Sequence, residues 1–107
     1  VNVYYDGEWI KCEPLLQEDY EIKEILSIMS KIDDKDEQLN LREIGQSLFH
    51  LAASPSRLHG MGSIQIQALA NLGYVLFTTD EKSISRRHLY EKVFLAFFIP
   101  QTKSKNA

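Results

Sequence analysis

Arg57, His59, Gly62 and Ser63 fall within the stretch Arg57-Leu-His-Gly-Met-Gly-Ser63. These residue types can hold an anion. A glycine-bearing loop running into a helix exposes backbone N–H groups at the positive end of the helix, and an arginine beside it adds charge. The chemistry is recognition of a phosphate or carboxylate, not bond cleavage. The stretch is far from a nucleotide-binding P-loop, because it has no lysine at the required place and no preceding strand. The simpler reading is that the glycines turn the chain and Ser63 caps the following helix.

A second basic cluster, Arg86-Arg87-His88, opens a later helix. Cations there oppose the helix dipole, so something must compensate. Either carboxylates of the first helix do so, or an external anion does. Convergence of Arg57 with Arg86 and Arg87 would favour the anion.

Other constellations are weaker. Asp34, Asp36, Gln38 and Asn40 alternate like calcium ligands, but the central glycine is missing and the twelfth position is Gly45, not glutamate. His50, His59 and His88 are scattered and Cys12 stands alone, so no zinc spacing exists. Ser47 and His50 can neighbour each other on a helix, but no orienting acid or oxyanion hole accompanies them. No catalytic residue, metal or cofactor is assigned.

The elements that position these groups follow from periodicity. Val1, Val3, Tyr5, Trp9 and Ile10 surround Asp6-Gly7, which predicts a hairpin over residues 1–13 with a type I′ turn. Ile22, Ile25, Leu26, Met29 and Ile32 repeat at helical spacing within residues 15–32. Asn40 and Glu43 have capping-box spacing ahead of a helix over 40–53. A third helix over 63–78 is apolar on most sides, which predicts a central, buried position. Within it Ala70 and Gly73 predict close approach of another helix. A fourth helix over 85–98 starts at Ser83 or Ser85 and stops before Pro100. Residues 101–107 read as a flexible tail. The stretch IQIQALANLGYVL resembles the buried helix of an armadillo- or HEAT-type repeat over about a dozen residues. Solenoids need several stacked units and this length holds two at most, so no repeat family is assigned.

The expected fold is mainly α: a compact four-helix domain with an N-terminal β-hairpin. A chain of 107 residues suits one domain, read as 1–100. Its 44% hydrophobic and 25% charged content is that of a globular protein. Net charge is −3, but residues 1–40 carry 11 acids and 4 bases while residues 41–107 carry 4 acids and 8 bases. The acidic first part argues against nucleic acid. No apolar run approaches the ~20 residues of a membrane span. The single cysteine points to an intracellular, cytoplasmic setting, and the absence of an initiator Met to a fragment of a larger protein.

The run VFLAFFIP carries more apolar surface than one helix face can hide. Either the ribbon covers it, or Trp9, Phe94, Phe98 and Ile99 form an interface. The first functional expectation is a non-catalytic interaction module for a protein partner or a neighbouring domain of the parent chain. The alternative is an anion-binding domain for a phosphorylated ligand, through Arg57, His59, Gly62, Ser63, Arg86 and Arg87. An enzyme using Ser47 and His50 ranks last.

Overall fold

Asp6 (φ 54°) and Gly7 (φ 87°) both take positive φ, the conformation a two-residue I′ turn demands. The turn joins β1 (Asn2–Tyr5) to β2 (Glu8–Pro14) in register Val3↔Ile10 and Tyr4↔Trp9. Alternation then sends Val3 and Cys12 inward, both buried, and leaves Tyr4 and Trp9 on the outer face.

The computed structural model describes residues 1–101. The tail reading therefore lies outside the described residues except at Gln101. That residue's N–H donates to Lys11 O at 2.8 Å.

Four helices follow: α1 (Asp19–Asp33), α2 (Leu41–Ala52), α3 (Ser63–Thr78) and α4 (Arg86–Phe97). The fold is thus mainly helical with an N-terminal antiparallel hairpin. No helix among the described residues is long and apolar enough to cross a membrane.

Two boundaries differ from expectation. Residues 15–18 do not join α1. Leu15 and Leu16 are both buried, and Leu16 forms a β-bridge to Leu58 in the loop after α2. An adjacent pair of buried leucines on an extended segment outweighs the helical spacing that begins at Ile22. Phe98 does not end α4 either. It starts a third strand, β3 (Phe98–Pro100), which pairs antiparallel with β2 through Glu13↔Ile99 and Cys12↔Pro100. Pro100 sits on the sheet edge, where a missing N–H costs nothing.

The strongest expectation, that α3 is the central rod, is overturned. Only Leu69, Gly73 and Leu76 of α3 are buried, while Ile64, Tyr74 and Val75 are exposed. The side chains with no exposed area are Ile25 and Ile32 of α1, Leu48 of α2, and Val93 and Phe97 of α4. The tightest helix pairings are α2 with α3 and α1 with α4. α3 therefore closes one flank, resting on α2 along a close seam.

That seam is made by glycines. A Cβ at Gly45 would lie 2.4 Å from Gly73 O and 2.7 Å from Phe77 N. A Cβ at Gly73 would lie 2.7 Å from Gly45 O and 2.8 Å from Phe49 N. The two backbones touch where each helix has no side chain. Gly73 was the visible half of this contact and Gly45 the unforeseen half.

Caps hold the helix starts. Asn40 Oδ1 accepts the Glu43 N–H at 3.1 Å and Ser85 Oγ accepts the His88 N–H at 3.3 Å. Each cap satisfies one of the four N–H groups that a helix start leaves without an intrahelical partner.

Candidate functional site

The residues expected to hold an anion do not form one site. Arg57 ends a short 3₁₀ turn, Pro55–Arg57, in the loop between α2 and α3. That loop is strapped to residues 15–17 by Gln17 N–H donating to Arg57 O (2.9 Å) and His59 N–H donating to Leu15 O (3.0 Å). The Arg57 Nε donates to Glu21 Oε2. Among the described residues Glu21 is the one charged residue that is buried, and its other oxygen accepts the Glu18 N–H at 3.3 Å. The pairing, more than the burial that opposes it, holds the Arg57 guanidinium still more firmly protonated than usual.

The helix start beyond this loop is also engaged. Gly62 rather than Ser63 is the N-cap, and its N–H donates to Gln65 Oε1 at 2.9 Å. Ser63 is the first helical residue and is exposed, as is His59.

Arg86 works at the other end of α1. Its Nη1 faces the carbonyls of Lys31 (3.3 Å), Ile32 (3.4 Å) and Asp34 (2.6 Å), and its Nη2 donates to Glu37 O at 2.5 Å. The last carbonyls of a helix have no intrahelical donor, and a guanidinium fork supplies several at once. The compensation for a cation at the start of α4 is therefore the negative end of α1, together with Glu81 at 3.9 Å. Glu21 and Ile32 are separated by about 16 Å of helix rise, so α1 itself holds Arg57 and Arg86 apart. Arg87 is almost fully exposed and lies 3.6 Å from Asp6 in the hairpin turn.

A prediction arises here. Arg86→Ala should lower the unfolding free energy by about 2 kcal/mol, because charge-assisted bonds to four carbonyls are lost. Arg86→Lys should recover less than half, since an ammonium cannot fork. Arg87→Ala should change stability by less than about 0.5 kcal/mol. Urea midpoints of the three variants check this ranking.

The aromatic interface also separates. Phe94 and Phe98 are buried at 1% exposure each, so they belong to the core and not to a surface. Tyr5 stacks on Phe94 at 4.7 Å, and Phe94 faces Phe98 at 6.3 Å. The ribbon has closed over the aromatic run. Trp9 (69% exposed) remains outside, edge-on to Tyr4 at 5.3 Å, and Ile99 is also exposed.

Among the described residues, no group of three or more His, Cys, Asp or Glu could hold a metal ion. The acidic loop after α1 is a local turn in which Asp34 Oδ1 accepts the Asp36 N–H at 3.0 Å.

Two of the concavities among the described residues bear on function. One, about 740 Å³, lies between the hairpin turn and the facing ends of α1 and α4. Several of its polar groups are bonded to one another. Tyr5 O–H donates to Glu91 Oε2 at 2.6 Å, and Tyr90 O–H donates to Tyr4 O on the edge of β1. The Glu91 bond, with burial next, raises the Tyr5 phenol above its ordinary range. Burial does the same to Tyr90, aided by Asp33.

The other concavity is of a different kind. Between α3 and α4 runs a groove of about 600 Å³ walled by Leu72, Val75 and Leu76 on one side and Leu89, Leu95 and Ala96 on the other. Val75 (51% exposed) and Leu95 (52% exposed) stand open to solvent. Sequence reasoning missed this groove, although its signal was present. An all-round apolar α3 predicts burial, yet Ala68, Leu72 and Val75 line this channel. No protein-family model matches the chain, nor does any curated protein or solved structure, so a reading of function rests on this geometry.

Proposed function

We propose that this chain is a non-catalytic protein-interaction module whose docking surface is the groove between α3 and α4. One observation carries the reading: large aliphatic side chains on two neighbouring helices stay exposed along a shared channel. Leaving such a face in water forfeits about 25 cal/mol per Å² of apolar area. Contiguous apolar patches mark partner sites more often than single exposed side chains do. The phosphorylated-ligand alternative draws less support, because Arg57 and Arg86 are occupied by Glu21 and by α1 carbonyls at opposite ends of a helix.

The test is site-specific photocrosslinking in cells that express the chain. A photoreactive phenylalanine replacing Val75 should form an adduct with a second protein. The same group replacing Trp9 on the outer sheet face should not. Leu95→Asp should erase the Val75 adduct while the circular dichroism stays native. Adducts from Trp9 alone, or a Val75 adduct indifferent to Leu95→Asp, would remove the groove from consideration.

A further inference from the structure

We infer that the occupant of the groove is an amphipathic helix carrying carboxylates along its flank; the inference rests on the docking reading above. The walls are helix faces and offer side chains only. An extended peptide would need backbone partners, which a sheet edge supplies and these helices, already bonded internally, do not. A helix brings its own backbone bonds and needs only apolar anchors at i, i+3 or i+4, and i+7. On α3 the lining runs from Gln65 to Leu76, so the channel is about 16 Å long. That length receives three turns.

The sign of the partner follows from the rim. α3 contains no Asp, Glu, Lys, Arg or His. α4 contributes His88 and Lys92, both exposed and one turn apart, and no carboxylate lines the channel. Neither His88 nor Lys92 has an ion-pair partner among the described residues. The nearest acids in sequence are directed elsewhere. Glu91 takes the Tyr5 hydroxyl, Glu81 faces Arg86, and Asp80 accepts the Lys82 N–H at 3.3 Å. The rim therefore carries the Lys92 ammonium with an imidazole one turn away, and no carboxylate of the lining faces either. Carboxylates on an incoming helix complement it, and basic flanks are repelled. The same rim disfavours a second copy, since a two-fold pairing of this face would bring no carboxylate of the lining to Lys92.

Two synthetic helical peptides test the idea. Both carry the same leucine stripe; one is flanked by glutamates and the other by lysines. Fluorescence anisotropy against the full chain at low salt should show the acidic peptide binding about threefold more tightly, the effect of one exposed rim cation. Lys92→Glu should reverse the order, and Leu95→Asp should abolish both. Equal binding of the two peptides, both lost in Leu95→Asp, would refute the acidic flank and keep the groove. If neither peptide binds while the Val75 adduct forms, the inference fails and the docking reading survives. If that adduct is missing as well, both fail. Sedimentation showing a dimer that Leu95→Asp dissolves would overturn the inference in favour of a second copy.

Discussion

Gly45→Ala, a single added methyl in α2, is expected to lower the unfolding free energy by about 3 kcal/mol. Helix propensity argues for the opposite sign, since alanine is better than glycine by about 1 kcal/mol in a helix interior. The contact decides. The new Cβ would meet Gly73 O at 2.4 Å and Phe77 N at 2.7 Å. Both are backbone atoms of α3 and neither can rotate away, so the helices must part and the seam loses its close packing. For a chain of this size the melting temperature should fall by about 15 °C. Gly73→Ala should act in the same direction, against Gly45 O and Phe49 N. The double variant should cost less than the sum, because helices already parted admit the second methyl. Thermal melts check all three, and a raised melting temperature for Gly45→Ala would show that the seam is looser than described.

The second large effect concerns neighbours in sequence. Phe94→Ala should cost about 4 kcal/mol, the usual range for deleting a buried ring. The ring is 1% exposed and lies against Tyr5 and Phe98. Its loss opens a cavity beneath the sheet and removes the surface on which the hairpin rests. Leu95→Ala, one residue on, should fall within about 0.5 kcal/mol of the wild type, because Leu95 is half exposed. Urea unfolding of the pair gives the comparison. Domains of this size hold only about 5–15 kcal/mol in total, so Phe94→Ala removes a large share of it. Comparable losses at both positions would mean that the groove is not open.

The contrast between these residues shows what was legible before any coordinates. Local chemistry was readable. Asp6-Gly7 specifies its turn wherever it stands, because the demand for positive φ is met within two residues. Asn40 and Ser85 mark helix starts for the same reason: the N–H groups they satisfy lie three residues away. The inward stripe of α1 was visible at Ile22, Ile25, Met29 and Ile32.

What failed depended on distant partners. Phe98-Ile99-Pro100 has no turn signal and is too short to show alternation, and its pairing partner lies in the first hairpin. Arg57 and Glu21 are far apart in sequence, as are Arg86 and the end of α1. Each cation could be recognised as needing compensation, but not assigned a partner. The misplacement of α3 has another cause. An all-round apolar helix is consistent with burial on every side and equally with one buried seam beside an open channel. Composition does not separate the two cases. Gly45 was a missed opportunity, since an interior glycine opposite Gly73 is the same kind of signal and was available in the same way.

The sheet has a consequence for biosynthesis. Its middle strand, β2, draws one neighbour from the residues just before it and the other from Phe98–Pro100. A ribosome releases the hairpin first, and an isolated ribbon is marginal in water. Tyr5 lacks its stacking partner until Phe94 emerges. No nascent length short of Pro100 contains the complete sheet. The hairpin thus waits for residues translated long after it, and its middle strand gains its second neighbour only when β3 has been made.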